Sequence, residues 1–446
     1  MKHTEYSDIL SSICMKLMLV VALFIPITTT TPGNKHPQYY QEFVLVNAVA
    51  VIFIFFYVIS LLVHKRWNRE NLVFCVKFFL FMAGYLFFYW MFLDDIQWKW
   101  YGVNACVSLG FFFLMMAGRN ERWLEKYRII EFTNVSLIVS HAIGIVVYLA
   151  GYASVYWYNF QFQLMPPKDF YGEKRFEWIY YHKSQYAFMV LLGLAFLLVH
   201  RKKFRSKIAF GVGLAVMAVS LYISHVNTAI VGGGLMAGSF CIDIFIKNFR
   251  KIKTKVKAVL IPAFCVGVVG MGAMALMKIQ AERSVLTLGN RTYIWDNAID
   301  LILKRPEGIG NRFSFKKVPL PELLTKVNNG HNIFLNEMLR FSIPVGICFT
   351  VLFFLIVAYA LEKKFSFFSL GIWGALLMSV MMDYAVMISG WTLMFFFLYM
   401  IFFYDTGCKG DAEQTAVEGE QPSVGKKTAG FCIPKAEKEK GDAERL

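Results

Sequence analysis

One polar stretch carries most of the residues whose types and positions suit chemistry. Between residues 279 and 331 lie Arg283, Arg291, Lys304, Arg305, Arg312, Lys316, Lys317 and Lys326, and the stretch ends in His331-Asn332. Cations gathered in one loop suit an anionic ligand. An imidazole at the loop's end suits proton transfer near neutral pH. Apolar residues at 294, 295, 298, 299, 301, 302 and 303 recur at helical spacing, which predicts an amphipathic helix over 292–303. Pro306, Gly308 and Gly310 stop it. Arg291 then stands at or just before the helix N-terminus, where free amides and the helix dipole favour an anion. The competing reading is a solvated arginine that caps nothing. The two glycines mark a turn rather than a nucleotide fingerprint, because no strand precedes them.

From His331-Asn332 the chain reads as running straight into the next apolar segment. Asn332, Asn336 and Arg340 repeat at i, i+4 and i+8 and share one helical stripe, with Glu337 beside Arg340. Pro344 is expected to kink the helix there. Ionisable residues at membrane depth are costly and face a cavity or a partner. The plainer alternative is a Glu337–Arg340 pair bracing the bundle, with His331 an ordinary polar residue at the membrane interface.

The elements that must position these residues are apolar. Of 446 residues, 57% are hydrophobic and 17% charged, with mean hydropathy +0.50 and 44 phenylalanines. That excludes a soluble globule and predicts an all-α, polytopic transmembrane helix bundle. A span needs ~20 mostly apolar residues, and about twelve such stretches centre near Val20, Ile54, Met82, Leu109, Val139, Leu192, Ala215, Met236, Gly267, Leu352, Leu376 and Phe397. The count is least secure at Ala215 and Met236, which only His225, Asn227 and Thr228 separate. Lys and Arg crowd alternate short loops: 65–69, 119–128, 201–207, 247–257 and 363–364. Basic short loops are cytoplasmic, so both termini are expected there, and the long loops 152–184 and 279–330 face outward. The net charge of +16 is therefore a topology signal and not a nucleic-acid footprint. The basic loop 279–330 is the exception that asks for a functional reason.

The organisation expected is a membrane domain over 1–404, with short helices in its second outer loop, and a disordered cytoplasmic tail over 405–446 rich in Lys, Glu, Gly and Ala. The N-terminus resembles a signal peptide without a small-residue cleavage site, so an uncleaved first span is expected. The eight cysteines show no metal-type spacing, and no metal or cofactor is expected. The first outer loop is aromatic, with Tyr156, Trp157, Phe162, Tyr171, Trp178 and Tyr181 among its rings. It reads either as an interfacial belt or as a sugar-stacking surface to which Lys174, Arg175, His182 and Lys183 add phosphate contacts.

At this point the chain resembles the bacterial family of O-antigen ligases and O-antigen or capsular polysaccharide polymerases. The residues that carry the resemblance are Arg291-Thr292-Tyr293-Ile294-Trp295, Pro306-Glu307-Gly308-Ile309-Gly310 and His331-Asn332, in that order in a large late loop. Topology extends it over about 10–404, and the motifs over about 289–346. Two departures stand out. Ser342 and Val345 occupy positions where relatives often carry glycine, a pattern that recovers partly at Gly346. Asn227 stands where many relatives carry an arginine. The resemblance implies an inner-membrane glycosyltransferase that uses a polyprenyl-diphosphate-linked oligosaccharide donor and a glycan acceptor, without metal, ATP or nucleic acid. His331 and Arg291 would be the catalytic pair. Arg283, Arg312, Lys326, Asn332, Asn336, Arg340 and Asn227 would contact diphosphate or glycan. A polymerase is the preferred reading, with membrane lipids around it and a chain-length regulator or flippase as protein partners. A ligase to lipid A core or protein is the near alternative. A transporter or flippase of the same lipid is the alternative from another class.

Overall fold

The computed structural model describes residues 2–26, 45–91, 96–158, 161–167, 176–180, 182–248, 290–310, 315–316, 326–327, 329–382 and 391–404. The stretch near Gly267, the tail 405–446, Arg283 and Arg312 lie outside the described residues, and of Lys326 only the backbone is described. The chain divides into two compact units, Met1–Phe403 and Tyr404–Leu446, and the elements that follow belong to the first.

Its architecture is an all-α bundle. In chain order come α1 (Lys2–Phe24), α2 (Asn47–His64), α3 (Arg69–Met91), α4 (Ile96–Ala117), α5 (Glu121–Lys126) and α6 (Ile129–Leu149). A hairpin of β1 (Ser154–Tyr158) and β2 (Gln161–Met165) follows, then α7 (Lys183–Val199), α8 (Lys207–Ile223) and α9 (Asn227–Asn248). Next are α10 (Arg291–Lys304), β3 (Phe315–Lys316), β4 (Lys326–Val327) and α11 (Ile333–Phe341). The chain then forms α12 (Ile343–Lys363), α13 (Phe367–Met382) and α14 (Trp391–Leu398). Among the described residues, six helices (α1, α2, α3, α6, α9 and α12) are long and apolar enough to cross a membrane, and α4, α7, α8, α13 and α14 are shorter apolar helices. Every expected span centre except Gly267 falls within one of these. The protein is an integral membrane protein: apolar side chains such as Phe55, Leu80 and Leu62 stand open on helix surfaces, as lipid-facing positions do.

The doubtful pair of spans is a true helical hairpin. Residue His225 takes a left-handed φ of 52°. The Ser224 hydroxyl donates to the Leu221 carbonyl at 2.6 Å, closing α8 just before α9 begins. Small residues let the helices approach. At Gly232 of α9 a Cβ would lie 3.2 Å from the Ala375 Cβ of α13 and 3.4 Å from Leu191 of α7, so three helices meet at one level. Polar side chains tie other helices together. Ser108 and Thr392 share a hydrogen bond of 2.7 Å, and Asn47 bonds to Asn104, all of them buried.

The basic loops 65–69, 119–128, 201–207 and 363–364 share one rim, and residues 249–257 of the fifth lie outside the described residues. Asn68 N donates to Ala117 O at 2.8 Å, Arg119 N to Arg66 O at 2.8 Å, and Lys203 pairs with Glu125 at 2.6 Å. Lys363 pairs with Glu70 at 3.2 Å. The opposite rim holds the β1–β2 hairpin, the α8–α9 turn and α10–α11. The hairpin pairs Trp157 with Phe162 in register and stacks their rings at 6.1 Å. Loop 152–184 thus contains paired strands, and its Tyr156, Phe176, Trp178 and Tyr180 are buried within the protein. Cross-strand aromatic pairs are what stabilise such a ribbon.

Candidate functional site

The second long loop builds its site from two short helices. The predicted amphipathic helix is α10, one residue longer at each end than its periodicity indicated. Its Ile294, Ala298 and Ile302, at i, i+4 and i+8, are buried against Leu339 of α11, and Trp295, Ile309, Leu335 and Met338 pack around them. Arg291 opens the helix, after Asn290 in a left-handed conformation with φ 70°. The Arg291 Nε donates to the carbonyl of Met382, the last residue of α13, which fixes the guanidinium at the end of a bundle helix.

The expectation of one continuous helix from His331 into the next span is corrected. The helix α11 ends at Phe341, and α12 starts at Ile343 with Pro344 in its first turn, so Pro344 begins a helix instead of kinking one. The break is made by Pro306–Gly310. Ile309 N donates to Leu339 O at 2.8 Å, and Ile343 N donates to Pro306 O at 3.0 Å, so the turn satisfies backbone groups that the break would otherwise strand. Gly308 is required there. Its φ is +85°, and a Cβ would stand 2.7 Å from the Phe341 carbonyl carbon. The connecting Ser342 has φ 146° and ψ 166°, a region essentially reserved for glycine.

His331 sits in a tight turn of its own, with φ 47°. Its amide donates to Asn329 Oδ1 at 2.7 Å. Asn336 locks the same turn from the helix side: its Nδ2 donates to Asn329 Oδ1 at 2.9 Å, and its Oδ1 accepts from Gly330 N at 2.8 Å. Asn332 is the N-cap of α11, accepting from Phe334 N at 3.0 Å and Leu335 N at 3.3 Å. Both asparagines therefore hold the imidazole's backbone in place. A Cβ on Gly330 would be 3.9 Å from Ala298, so the His331 turn lies against the middle of α10. Arg291 is seven residues earlier on that helix, ~10 Å along its axis.

On the far side of α11, Glu337 is 2% exposed and accepts from Tyr85 Oη of α3 at 3.1 Å. No ion pair joins it to Arg340, which corrects the simple bracing pair; Arg340 acts on it only through space. Burial pushes the Glu337 carboxyl up to about 7, against the opposing influences of Arg340 and the tyrosine hydrogen bond. Arg340 is itself 8% exposed, and its Nε is buried without a hydrogen-bond partner.

Asn227, the first residue of α9, lies on the same rim. The antiparallel packing that sets Gly232 against Ala375 brings Asn227 within about one turn of the level of Met382, where Arg291 is anchored. Sequence reasoning missed Tyr85 and Asn329. Tyr85 is one aromatic residue in an apolar run and gave no signal. Asn329 precedes Gly330, and an Asn-Gly pair is itself a turn signal. Among the described residues no three His, Cys, Asp or Glu side chains gather as a metal site.

Residues 182–350 match a family described as O-antigen ligase. The matched segment begins at the loop before α7 and ends in the first turns of α12, so it holds α10, α11 and every site residue named above except Tyr85 and Met382. No curated protein matches the chain.

Proposed function

We propose that the chain, whose residues 182–350 match the O-antigen ligase family, is a ligase- or polymerase-like enzyme acting on lipid-linked glycans, and that it is the polymerase. It adds repeat units held on polyprenyl diphosphate to a growing polysaccharide at the outer face of the bacterial cytoplasmic membrane. The observation that carries this reading is the family match together with the turn that fixes His331 against α10, two helical turns from Arg291.

The chemistry asks for few groups. An acceptor hydroxyl attacks the anomeric carbon of the donor glycan, and the bond from that carbon to the diphosphate oxygen breaks. The lipid diphosphate leaves with the electron pair. His331 takes the hydroxyl proton as the new glycosidic bond forms. Arg291, held by the Met382 carbonyl, offers a planar guanidinium to the charge that builds on the diphosphate. Asn332 and Asn336 position the histidine turn. Arg340 and Asn227, with Arg283, Arg312 and Lys326 in the same loop, contact diphosphate or glycan. Both termini are cytoplasmic in this reading, and the rim that carries α10 and α11 faces outward.

The test is a reconstituted reaction: full-length protein in liposomes, given the glycan–diphosphate–polyprenol of its own gene neighbourhood, with products resolved on a gel. A ladder of longer glycans is expected, and His331→Ala and Arg291→Ala should each remove it while membrane insertion stays normal. Transfer of a finished glycan to a separate acceptor without a ladder would make the protein a ligase. Movement of the lipid-linked glycan across the bilayer without any transfer would overturn the enzyme reading in favour of a transporter.

A further inference from the structure

We infer that Lys183 supplies the second cation of the donor diphosphate site, facing Arg291 across the ends of α9 and α13. The inference rests on the polymerase reading and adds a residue that determines which phosphate group the site accepts. Three helices meet where Leu191 of α7, Gly232 of α9 and Ala375 of α13 touch. From that shared level Lys183 lies eight residues toward the site rim, Asn227 five and Met382 seven. At the rise of an α-helix the three ends stand ~8–12 Å above it, close to a common height. Packed helices are separated by ~8–10 Å between axes, so long side chains from neighbouring ends reach one shared space.

Two of these ends bring a cation. Arg291 is tied to the Met382 carbonyl at the end of α13. Lys183 Nζ donates to the His225 carbonyl at 3.2 Å, in the turn that leads into α9. The third end, Asn227, is neutral. A diphosphate carries charge on both phosphates and gains more as the glycan leaves. One guanidinium matches one phosphate bidentately, and the second phosphate calls for a second positive group. Lysine suits that position because its compact ammonium sits on a flexible stem, so Nζ can leave the His225 carbonyl for a phosphate oxygen as the ligand arrives.

The plainer role for Lys183 is to cap the α8–α9 turn through that same carbonyl. The two roles differ in what they do to ligand choice. Full-length protein in lipid nanodiscs is titrated with polyprenyl diphosphate and, separately, with polyprenyl monophosphate, neither carrying glycan. Wild type is expected to prefer the diphosphate. Lys183→Gln should weaken diphosphate binding about tenfold and monophosphate binding by less than about twofold, as expected for loss of one charge-assisted contact. Lys183→Arg, which keeps charge and donor, should hold the preference. Equal weakening of both lipids in Lys183→Gln would make the residue a structural cap, and no weakening of either would also overturn the inference. If Lys183→Gln binds as wild type while the liposome reaction still gives its ladder, only this inference falls. Wild-type protein that binds neither lipid and makes no ladder would take the polymerase reading with it.

Discussion

Ser342 is held in a backbone conformation that serine resists. Its φ of 146° and ψ of 166° belong to a region used almost solely by glycine, at a cost of ~1–3 kcal/mol. Its hydroxyl returns part of that by accepting from Val345 N at 3.4 Å as the cap of α12. Exchanging a serine cap for glycine costs only a few tenths of a kcal/mol. Ser342→Gly should therefore stabilise the protein by about 1 kcal/mol after glycine's own entropy is counted, while Ser342→Ala keeps the strain, loses the cap and lowers the melting temperature. Opposite shifts of the two variants in detergent would bear this out; equal shifts would refute it. Glu337 adds a pH dependence. Its folded-state pKa is raised from 4.5 to about 7, so the folded protein holds this proton more tightly than the unfolded chain does. Stability from this group is fully present below pH 4.5 and is lost as the pH rises through 7. The size is of order 3 kcal/mol, at 1.36 kcal/mol per pKa unit. Glu337→Gln, which keeps an acceptor for Tyr85, should melt at a nearly constant temperature between pH 4.5 and 7, where wild type declines, and both should be flat above that range.

At the scale of elements, α10, the Pro306–Gly310 turn and α11 form one module that aims the histidine turn and the arginine. Much of it was legible. Spacing at 294, 298 and 302 announced α10, and Pro306 with two glycines announced its stop. The break at Ser342 was not legible, because apolar spacing continues from α11 into α12 and the turn that separates them, Pro306–Gly310, comes more than thirty residues earlier. The roles of Asn332 and Asn336 were hidden for a related reason. Spacing puts them on one stripe, but only the backbone path shows that Asn336 bonds the His331 turn and Asn332 caps α11. The β1–β2 hairpin was masked by aromatic density, which obscures strand alternation. Gly308 is the module's weakest point: a Cβ there meets the Phe341–Ser342 backbone, and φ +85° resists any side chain. Gly308→Val should unhook the turn from the α11–α12 break and cost more than ~3 kcal/mol locally. The expected signature is faster amide exchange over 300–345 and loss of glycan transfer, with α1–α9 exchanging as before. Uniformly faster exchange through the bundle would show that the module is not a separate unit.

For the whole molecule, the charge pattern was the most legible feature, because it acts through the membrane and needs no knowledge of contacts. Among the described residues, four loops crowded with Lys and Arg meet at one rim, through Arg66–Arg119, Lys203–Glu125 and Lys363–Glu70. The α10–α11 module occupies the other rim, and in the proposed orientation its cations run against the rule that places them inside. Transfer from a lipid-linked donor at the outer face requires that second rim to be periplasmic or extracellular. Lys304 and Lys203 separate the two directions, since Lys304 is exposed at the end of α10 and Lys203 lies between α7 and α8 on the opposite rim. In a cysteine-free background, Lys304→Cys should react with a membrane-impermeant thiol reagent on intact cells, and Lys203→Cys only after permeabilisation. Both pairs broken by these changes are solvent-exposed, so neither variant should lose more than ~1 kcal/mol of stability. The reverse pattern of labelling would put Arg291 and His331 in the cytoplasm, beside nucleotide-activated sugars, and would end the case for polymerisation on the outer face.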